Sequence, residues 1–445
     1  MGSEQNVIVA LEFGSSAIAG VAGFRKEDGS LKVVDMVIEK TAESIQRGVI
    51  YNIDTTTTAV NNIVAHINSK LGTRVRRAYV GVSGQSLHTV GNVISRKLEA
   101  KLKITDELMD NFMDSNLATD YPDSEILHVI PQEYIVGHHS VSNPVGIQAE
   151  EVEARYVNVV ARRLLNENIA ICMQKAGLEI ADTFISPLVL ADSLLSESEK
   201  RSGCALVDFG AATTTVSIYT NNTLRFLTVI PLGGSNITAD LVTAKQMYAE
   251  EAEGIKRKYG VAYVASETDN PVRIQINNNR IIDENELQNI IGARQEEIVM
   301  NVWEQIRPME AKLLAGIVIT GGASQMKDLA EAIKHFTGFD RVKAAKSLIT
   351  SVEVARDVLT PQDTNIDTLM ALLMHGRECC VSPVNEGSPT EALEPVQESE
   401  PVSRKPEPRA PEPQGKPKDS RKKAMSSWLS KGGKWLNDIV KEEEE

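Results

Sequence analysis

Apolar and polar positions run along the chain in blocks that switch between a period of two and a period near 3.6. Val7 to Phe13 is a short apolar run that stops at Gly14-Ser15-Ser16, which reads as a buried strand closed by a turn. Ile18 to Arg25 and Leu31 to Lys40 read as its antiparallel partners. Over 54–71 the spacing becomes helical, with Val60, Ile63, Val64, Ile67 and Leu71 on one face. Val75 to Val82 predicts another strand. From about 84 to 162 the pattern is that of a small α/β insertion: strands at Val93 to Leu98, Leu127 to Val136 and Val152 to Ala161, and a helix from Ile104 to Leu117. A helix over 166–177 follows.

The opening theme then recurs. Ala205-Leu206-Val207 runs into Asp208-Phe209-Gly210-Ala211-Ala212-Thr213-Thr214, and two more strands follow before 232. Leu287, Ile290, Ile291, Ile298, Val302 and Ile306 predict a long amphipathic helix over 285–312. Leu313 to Thr320 reads as a buried strand that stops at Gly321-Gly322. Residues 6 to about 380 therefore predict folded α/β structure. From Pro383 to Pro417 the composition breaks, with nine of the chain's seventeen prolines among Glu, Ser, Lys and Arg. Such a stretch buries too little apolar surface to offset its ordering entropy, so 383–420 predicts a disordered linker.

The last segment, 421–441, is periodic again. Met425, Trp428, Leu429, Trp435, Leu436, Ile439 and Val440 step by three, one, six, one, three and one. At 100° per residue they cover about 140° of arc, and Ser, Lys, Asn and Asp fill the other side. Two tryptophans and the preceding Arg421, Lys422 and Lys423 suit an anionic membrane surface. A helix packed back on the globular part is the competing reading. The intervening linker argues against it, because docking in cis needs no such tether. Gly432 and Gly433 lower helicity by roughly 1 kcal/mol each, and Glu442 to Glu445 oppose anionic lipid. The pattern predicts weak, reversible attachment that several tails on one polymer would strengthen.

Composition narrows the function classes. The net charge is −14, which excludes general nucleic-acid binding through cationic contacts. Cys172, Cys204, Cys379 and Cys380 form no C-x-x-C pair and read as reduced thiols, and no His-Cys cluster has zinc spacing. The adjacent His138 and His139 read as a polar strand end. The start lacks a basic, then apolar, leader, and no apolar run approaches the ~18 residues that cross a bilayer. These features place the chain in the cytosol or on the cytosolic side of a membrane.

The candidate chemistry lies in three glycine turns that follow strands: Glu12-Phe13-Gly14-Ser15-Ser16, Asp208 to Thr214, and Thr320-Gly321-Gly322-Ala323-Ser324. The first two share one pattern of strand, acid, apolar residue, glycine, then small or hydroxyl residues. Such turns present backbone N–H groups and hydroxyls to phosphate oxygens, and a carboxylate at the strand end suits magnesium, usually through water. Any one turn is a common feature; the ordered set of three is not.

That set resembles the actin/Hsp70/sugar-kinase superfamily and, within it, the FtsA family of bacterial cell-division proteins. The resemblance covers residues 6 to about 380 and the tail. It implies an α/β, actin-like (ribonuclease-H-like) fold of duplicated domains with a small α/β insertion in the first half. The implied parts are domain 1A at 6–83, 163–200 and 355–380, an inserted 1C-type domain at 84–162, domain 2A at 201–242 and 313–354, and domain 2B at 243–312. It implies ATP and magnesium as ligands. Gly14, Ser15 and Ser16 would form phosphate-1. Gly210, Ala211, Thr213 and Thr214, with Asp208, would form phosphate-2. Gly321, Gly322 and Ser324 would form the adenosine motif. Gly233 and Gly234 would lie near phosphates at a helix N-terminus. Glu253 and Lys256 would contact ribose and adenine, although their spacing alone reads as an i,i+3 ion pair. Glu12 and Asp208 would hold magnesium through water.

The family further implies filament formation, a bound FtsZ C-terminal peptide on 243–312, recruitment of later division proteins, and a peripheral place on the cytoplasmic face of the inner membrane at the division site. Two positions depart from its pattern. Glu12 stands where Asp is usual, and Ser186 precedes Pro187 where hydrolytic members place Glu or Gln to orient water. Asp208 then remains as the one residue to polarise water, so hydrolysis should be slow, below about 1 s⁻¹, at the low end for enzymes. A PilM-type pilus-assembly protein and a metabolic kinase of the same superfamily are the competing readings. Neither explains the linker and the amphipathic tail.

Overall fold

A computed structural model describes residues 6–41, 43–277, 280–355, 358 and 366–381. The expected linker at 383–420 and the helix at 421–441, with Met425, Trp428, Leu429, Trp435, Leu436, Ile439 and Val440, lie outside the described residues.

The first half opens with β1 (Val7–Phe13), β2 (Ala17–Arg25) and β3 (Leu31–Lys40), then a two-residue ribbon, β4 (Ile45–Gln46) and β5 (Val49–Ile50). Helix α1 (Ile53–Leu71) begins at Asn52, whose side chain accepts the Thr55 amide, and stops at Gly72 in the left-handed region (φ 65°). β6 (Arg77–Val82) lies parallel to β1.

The insertion follows as β7 (His88–Lys103), α2 (Asp106–Leu117), β8 (Ser124–Val136), β9 (His139–Val141) and β10 (Gln148–Arg162). It has its own core around Phe112, Val152 and Tyr156. The first half resumes with α3 (Arg163–Lys175), β11 (Glu179–Ile185), α4 (Ser186–Leu194) and α5 (Glu197–Ser202).

The second half repeats the start: β12 (Cys204–Phe209), β13 (Thr214–Thr220) and β14 (Thr223–Ile230), then α6 (Gly234–Lys245), α7 (Ala249–Tyr259), the hairpin β15 (Arg273–Asn277) and β16 (Arg280–Asp283), and α8 (Glu284–Ile306). β17 (Gly316–Thr320), α9 (Leu329–Thr337), β18 (Val342–Ala344), β19 (Glu353–Val354) and α10 (Asp367–His375) complete the described fold.

Strand order shows the duplication. The first sheet runs β11-β6-β1-β2-β3, and the second contains β18-β17-β12-β13-β14. In both, the opening strand has a parallel neighbour on one side and an antiparallel hairpin on the other. β12 is buried on both faces, which explains its unbroken apolar run. Ala205, Val207 and Phe209 enter the second-half core, while Cys204 and Leu206 join the first-half core.

Two expectations change. The helix predicted over 285–312 ends at Ile306, and 307–312 is a 3-10 turn containing Pro308. Proline has no N–H and clashes with the preceding turn, so the α-helix stops there. The strand predicted from Leu313 begins only at Gly316, whose φ of +85° turns the backbone first. The edges of the sheets also cross between halves. β19, inside the segment assigned to domain 2A, pairs with β3 of the first sheet. The insertion joins β14 of the second sheet through Thr228 opposite His88.

Candidate functional site

The two phosphate-type turns have the same local geometry. The Gly14 amide donates to the Ala17 carbonyl at 3.0 Å, and the Gly210 amide donates to the Thr213 carbonyl at 2.9 Å. A Cβ on Gly14 would stand 2.8 Å from the Ala17 oxygen, and one on Gly210 would stand 2.8 Å from the Thr213 oxygen. Glycine is required at both for this close approach. Pairing resumes at Phe13 opposite Ile18 and at Phe209 opposite Thr214.

Their supports differ. The Ser15 hydroxyl accepts the Gly48 amide (2.9 Å), the Ser15 carbonyl accepts the Thr41 hydroxyl (2.8 Å), and the Ser16 carbonyl accepts the Thr41 amide. The second turn rests on the start of α6: Gly234 donates to the Gly210 carbonyl at 3.0 Å and Ser235 to the Ala211 carbonyl at 2.7 Å. The Gly233 amide meets the Asn236 side chain, and a Cβ on Gly233 would stand 2.6 Å from the Ala211 oxygen. Gly233 and Gly234 thus act here as close-packing residues with engaged amides. Thr214 is fully buried, its hydroxyl on the Leu232 carbonyl (2.8 Å); of the hydroxyls expected at this turn, it is the one turned inward.

The third turn meets the second directly. Thr320 pairs with Asp208 across the parallel strands. Gly321 has a φ of +96°, and a Cβ on it would stand 2.3 Å from the Asp208 Oδ1 and 2.4 Å from the Phe209 oxygen. Gly322 opens the 3-10 turn, and the Ser324 hydroxyl closes it on the Gly321 carbonyl (2.7 Å). Ala323 approaches Gly234.

Glu253 and Lys256 form the i,i+3 pair that their spacing allows, at 2.6 Å. Lys256 is buried and Glu253 half-buried, so the pair is not fully solvated. Lys256 Nζ donates to the Gly234 carbonyl and the Thr238 hydroxyl, both at 2.9 Å. Burial lowers the Lys256 pKa against the pull of Glu253. Glu253 also feels burial, but Lys256, Thr238 and Arg257 together hold its carboxyl low. The pair therefore sits beside the phosphate-2 turn.

Carboxyls gather between the halves. Burial, and then the facing Asp208, pushes Glu12 up to about 8. Burial, and then Asp367, pushes Asp208 up to about 6. Asp367 was not foreseen. It opens α10, and its Oδ1 accepts the Ser347 hydroxyl and the Leu348 amide, both at 2.8 Å, while the Thr320 hydroxyl reaches its Oδ2 at 3.4 Å. An acid in a helix first turn is its one sequence signal, and that signal does not point to this site. Closely set carboxyls that disfavour their own ionisation are an oxygen donor set of the kind hard divalent cations take. Among the described residues no three His, Cys, Asp or Glu side chains are arranged to hold a metal directly. Ser186 is buried, and its hydroxyl has no partner; a Cβ on Gly81, which pairs with Glu12, would stand 2.5 Å from it.

Comparison with known proteins gives the family and the fold. A model of the cell division protein FtsA matches residues 205–362, and one of the type IV pilus assembly protein PilM matches 10–266. Cell division protein FtsA of Pseudomonas aeruginosa is 30% identical over 343 residues, covering 74% of this chain and 81% of that protein. The Bacillus subtilis FtsA is 30% identical over 333 residues, covering 73% and 75%. Among solved structures, a PilM-PilN type IV pilus biogenesis complex aligns with a TM-score of 0.58 at 15% identity, over 82% of this chain and 96% of that one; the likeness is one of actin-like fold. With relatives of this identity spanning most of both sequences, the chain belongs to the FtsA family of cell-division proteins.

Proposed function

We propose that this chain binds ATP with magnesium between its two halves, assembles into filaments, and links the FtsZ C-terminal peptide to the cytoplasmic face of the inner membrane, where later division proteins are recruited. The observation that carries the nucleotide reading is the matched pair of glycine turns with Glu12 and Asp208 facing one another. The amides of residues 15–16 and 211–213 would take phosphate oxygens, with the Ser15, Ser16 and Thr213 side chains at the rim. Gly321, Gly322 and Ser324 would face the nucleoside, Glu253 and Lys256 its ribose and base. Magnesium would supply charge neutralisation between carboxylates and phosphates. Asp208 would polarise water, and Ser186, buried against Gly81, offers little help, so turnover should stay below about 1 s⁻¹.

The FtsZ peptide would dock on 243–312, which carries exposed Tyr248, Val264, Val272 and Ile281. Among the described residues no helix is long and apolar enough to cross a membrane; the attachment would come from the 421–441 segment. A pull-down with an FtsZ C-terminal peptide and an Ile281→Asp variant tests the partner: retention by the wild type alone is expected, and no retention by either removes the reading. The PilM match favours a second reading, a pilus-assembly role on the same nucleotide fold. Liposome co-sedimentation separates the two, because Trp428→Glu should release an FtsA-type protein and leave a PilM-type one unchanged.

A further inference from the structure

The first-half sheet has two ends, and only one has been assigned a role. The turn at Gly14 lies where β1 finishes. β6 and β11 run parallel to β1, so their starting residues lie at the opposite end, roughly 20 Å away for a six-residue strand. That far end is basic. Lys70 closes α1, and Arg74, Arg76 and Arg77 lead into β6. The last described segment is fastened to the same place. Cys380 donates to the Val7 carbonyl at 2.7 Å, its own carbonyl accepts the Arg76 amide at 2.9 Å, and Val381 bridges Val75. The Arg377 amide donates to the Tyr79 hydroxyl, and its carbonyl accepts the Asn6 side chain.

Lys70, Arg74, Arg76 and Arg377 are exposed. At the β2–β3 turn and β19, which lie at the same end, Glu27, Asp28 and Glu353 are matched by Arg25, Lys26 and Lys32. Around the starts of β6 and β11 the described acids are Glu179 and Glu378, and Glu378 is held by Arg77 at 2.9 Å. Among the described residues this end therefore carries an excess of cations, on a chain whose net charge is −14. Electrostatic attraction is local, because salt screens it within about 8–10 Å. This end can therefore face an anionic surface that repels the rest of the molecule. Residues 382–445, with the tryptophan-bearing segment, follow Val381 in the sequence.

We propose that the Lys70, Arg74, Arg76 and Arg377 face rests on anionic lipid headgroups as a second membrane contact, orienting the nucleotide seam and the 243–312 region away from the bilayer. The inference rests on the membrane reading of the C-terminal segment and deepens it. A basic side chain near an anionic surface is worth about fivefold in affinity, so three reversed charges should be plain in a vesicle titration.

The test uses the full chain with vesicles of zwitterionic lipid alone and of the same lipid with about a third anionic phosphatidylglycerol. The variants are the triple Arg74→Glu, Arg76→Glu, Arg377→Glu, the triple Arg→Gln at the same positions, and Trp428→Glu. The Glu triple should need at least tenfold more anionic vesicle for half-binding, and the Gln triple an intermediate amount. Both should match the wild type on zwitterionic vesicles and in thermal unfolding. Wild-type affinity for anionic vesicles in both triples, with Trp428→Glu released, overturns the basic face and leaves the tail reading standing. Failure of the wild type to bind either vesicle overturns both. Loss of folding in the Glu triple leaves the Gln triple to decide, and wild-type behaviour there overturns the proposal.

Discussion

The turns at Gly14 and Gly210 are the same local object in two settings. Each closes with one glycine amide on a carbonyl three residues on, and each would clash with a side chain at the same 2.8 Å. The first is braced within its own half by Thr41 and Gly48. The second is braced by the first amides of α6 and overlaid by Gly321, so it is welded to both the helix and the third turn. Local sequence fixes how a turn is shaped; the elements packed behind it fix how much moves when it is disturbed. The second turn should therefore be the stiffer and the more sensitive.

The largest test of that contrast is Gly321→Ala. It adds a Cβ 2.3 Å from the Asp208 carboxyl at a φ of +96°, and strain of this kind costs on the order of 3 kcal/mol. Urea denaturation should show that loss together with weakened nucleotide binding. Next, Gly210→Ala should cost about 2 kcal/mol and Gly14→Ala about 1 kcal/mol in the same measurement, because the added Cβ meets the same 2.8 Å approach at both and only the bracing differs. Equal losses would overturn the contrast.

Asp208→Asn should split two readouts. Removing a carboxyl that burial and Asp367 disfavour should leave the ligand-free protein as stable or more so. ATP affinity in magnesium should fall at least tenfold, about 1.4 kcal/mol, by calorimetry; unchanged magnesium dependence would remove the cation site from Asp208.

Thr41→Val tests the first brace and should cost about 1 kcal/mol, the net worth of a hydrogen bond, with ATP affinity altered less than by Gly321→Ala. The smallest effect belongs to Asp192, which joins α4, α5 and α10 of the first half. The His375 ring at 3.2 Å, and after it Lys200 at 2.7 Å, hold its carboxyl below the usual value of 3.8 against the pull of burial. A carboxyl depressed in the fold binds fewer protons folded than unfolded, so its stabilisation is present above about pH 4 and fades as pH falls. Asp192→Asn should cost under about 1 kcal/mol at pH 7, because the group is partly exposed, and less at pH 3.

Much of this was legible in the chain. The two apolar runs ending in acid, apolar residue, glycine and hydroxyls marked the duplicated hairpins, and α1 falls within a residue of its predicted span. Pro308 was legible too, but the run of apolar steps through 306 masked its effect. Thr214 could not be oriented from sequence, because a strand residue beside a turn faces in or out according to the register. Gly233 and Gly234 carried a phosphate-loop signature, yet their amides are held by Gly210 and Asn236. Only the packed structure shows whether an N–H is already taken.

The sequence by itself determined the order of elements, the three glycine turns and the amphipathic spacing of 421–441. These follow from periods of two and 3.6 and from turn chemistry, which act over a few residues. The tertiary structure alone decided which free edge each strand took. β19 crosses to β3, the insertion closes on β14, and Asp367 comes to lie beside Thr320 and Asp208. Those pairings join residues far apart in the chain, and they depend on which backbone edges and buried polar groups remain unsatisfied once the local elements have formed.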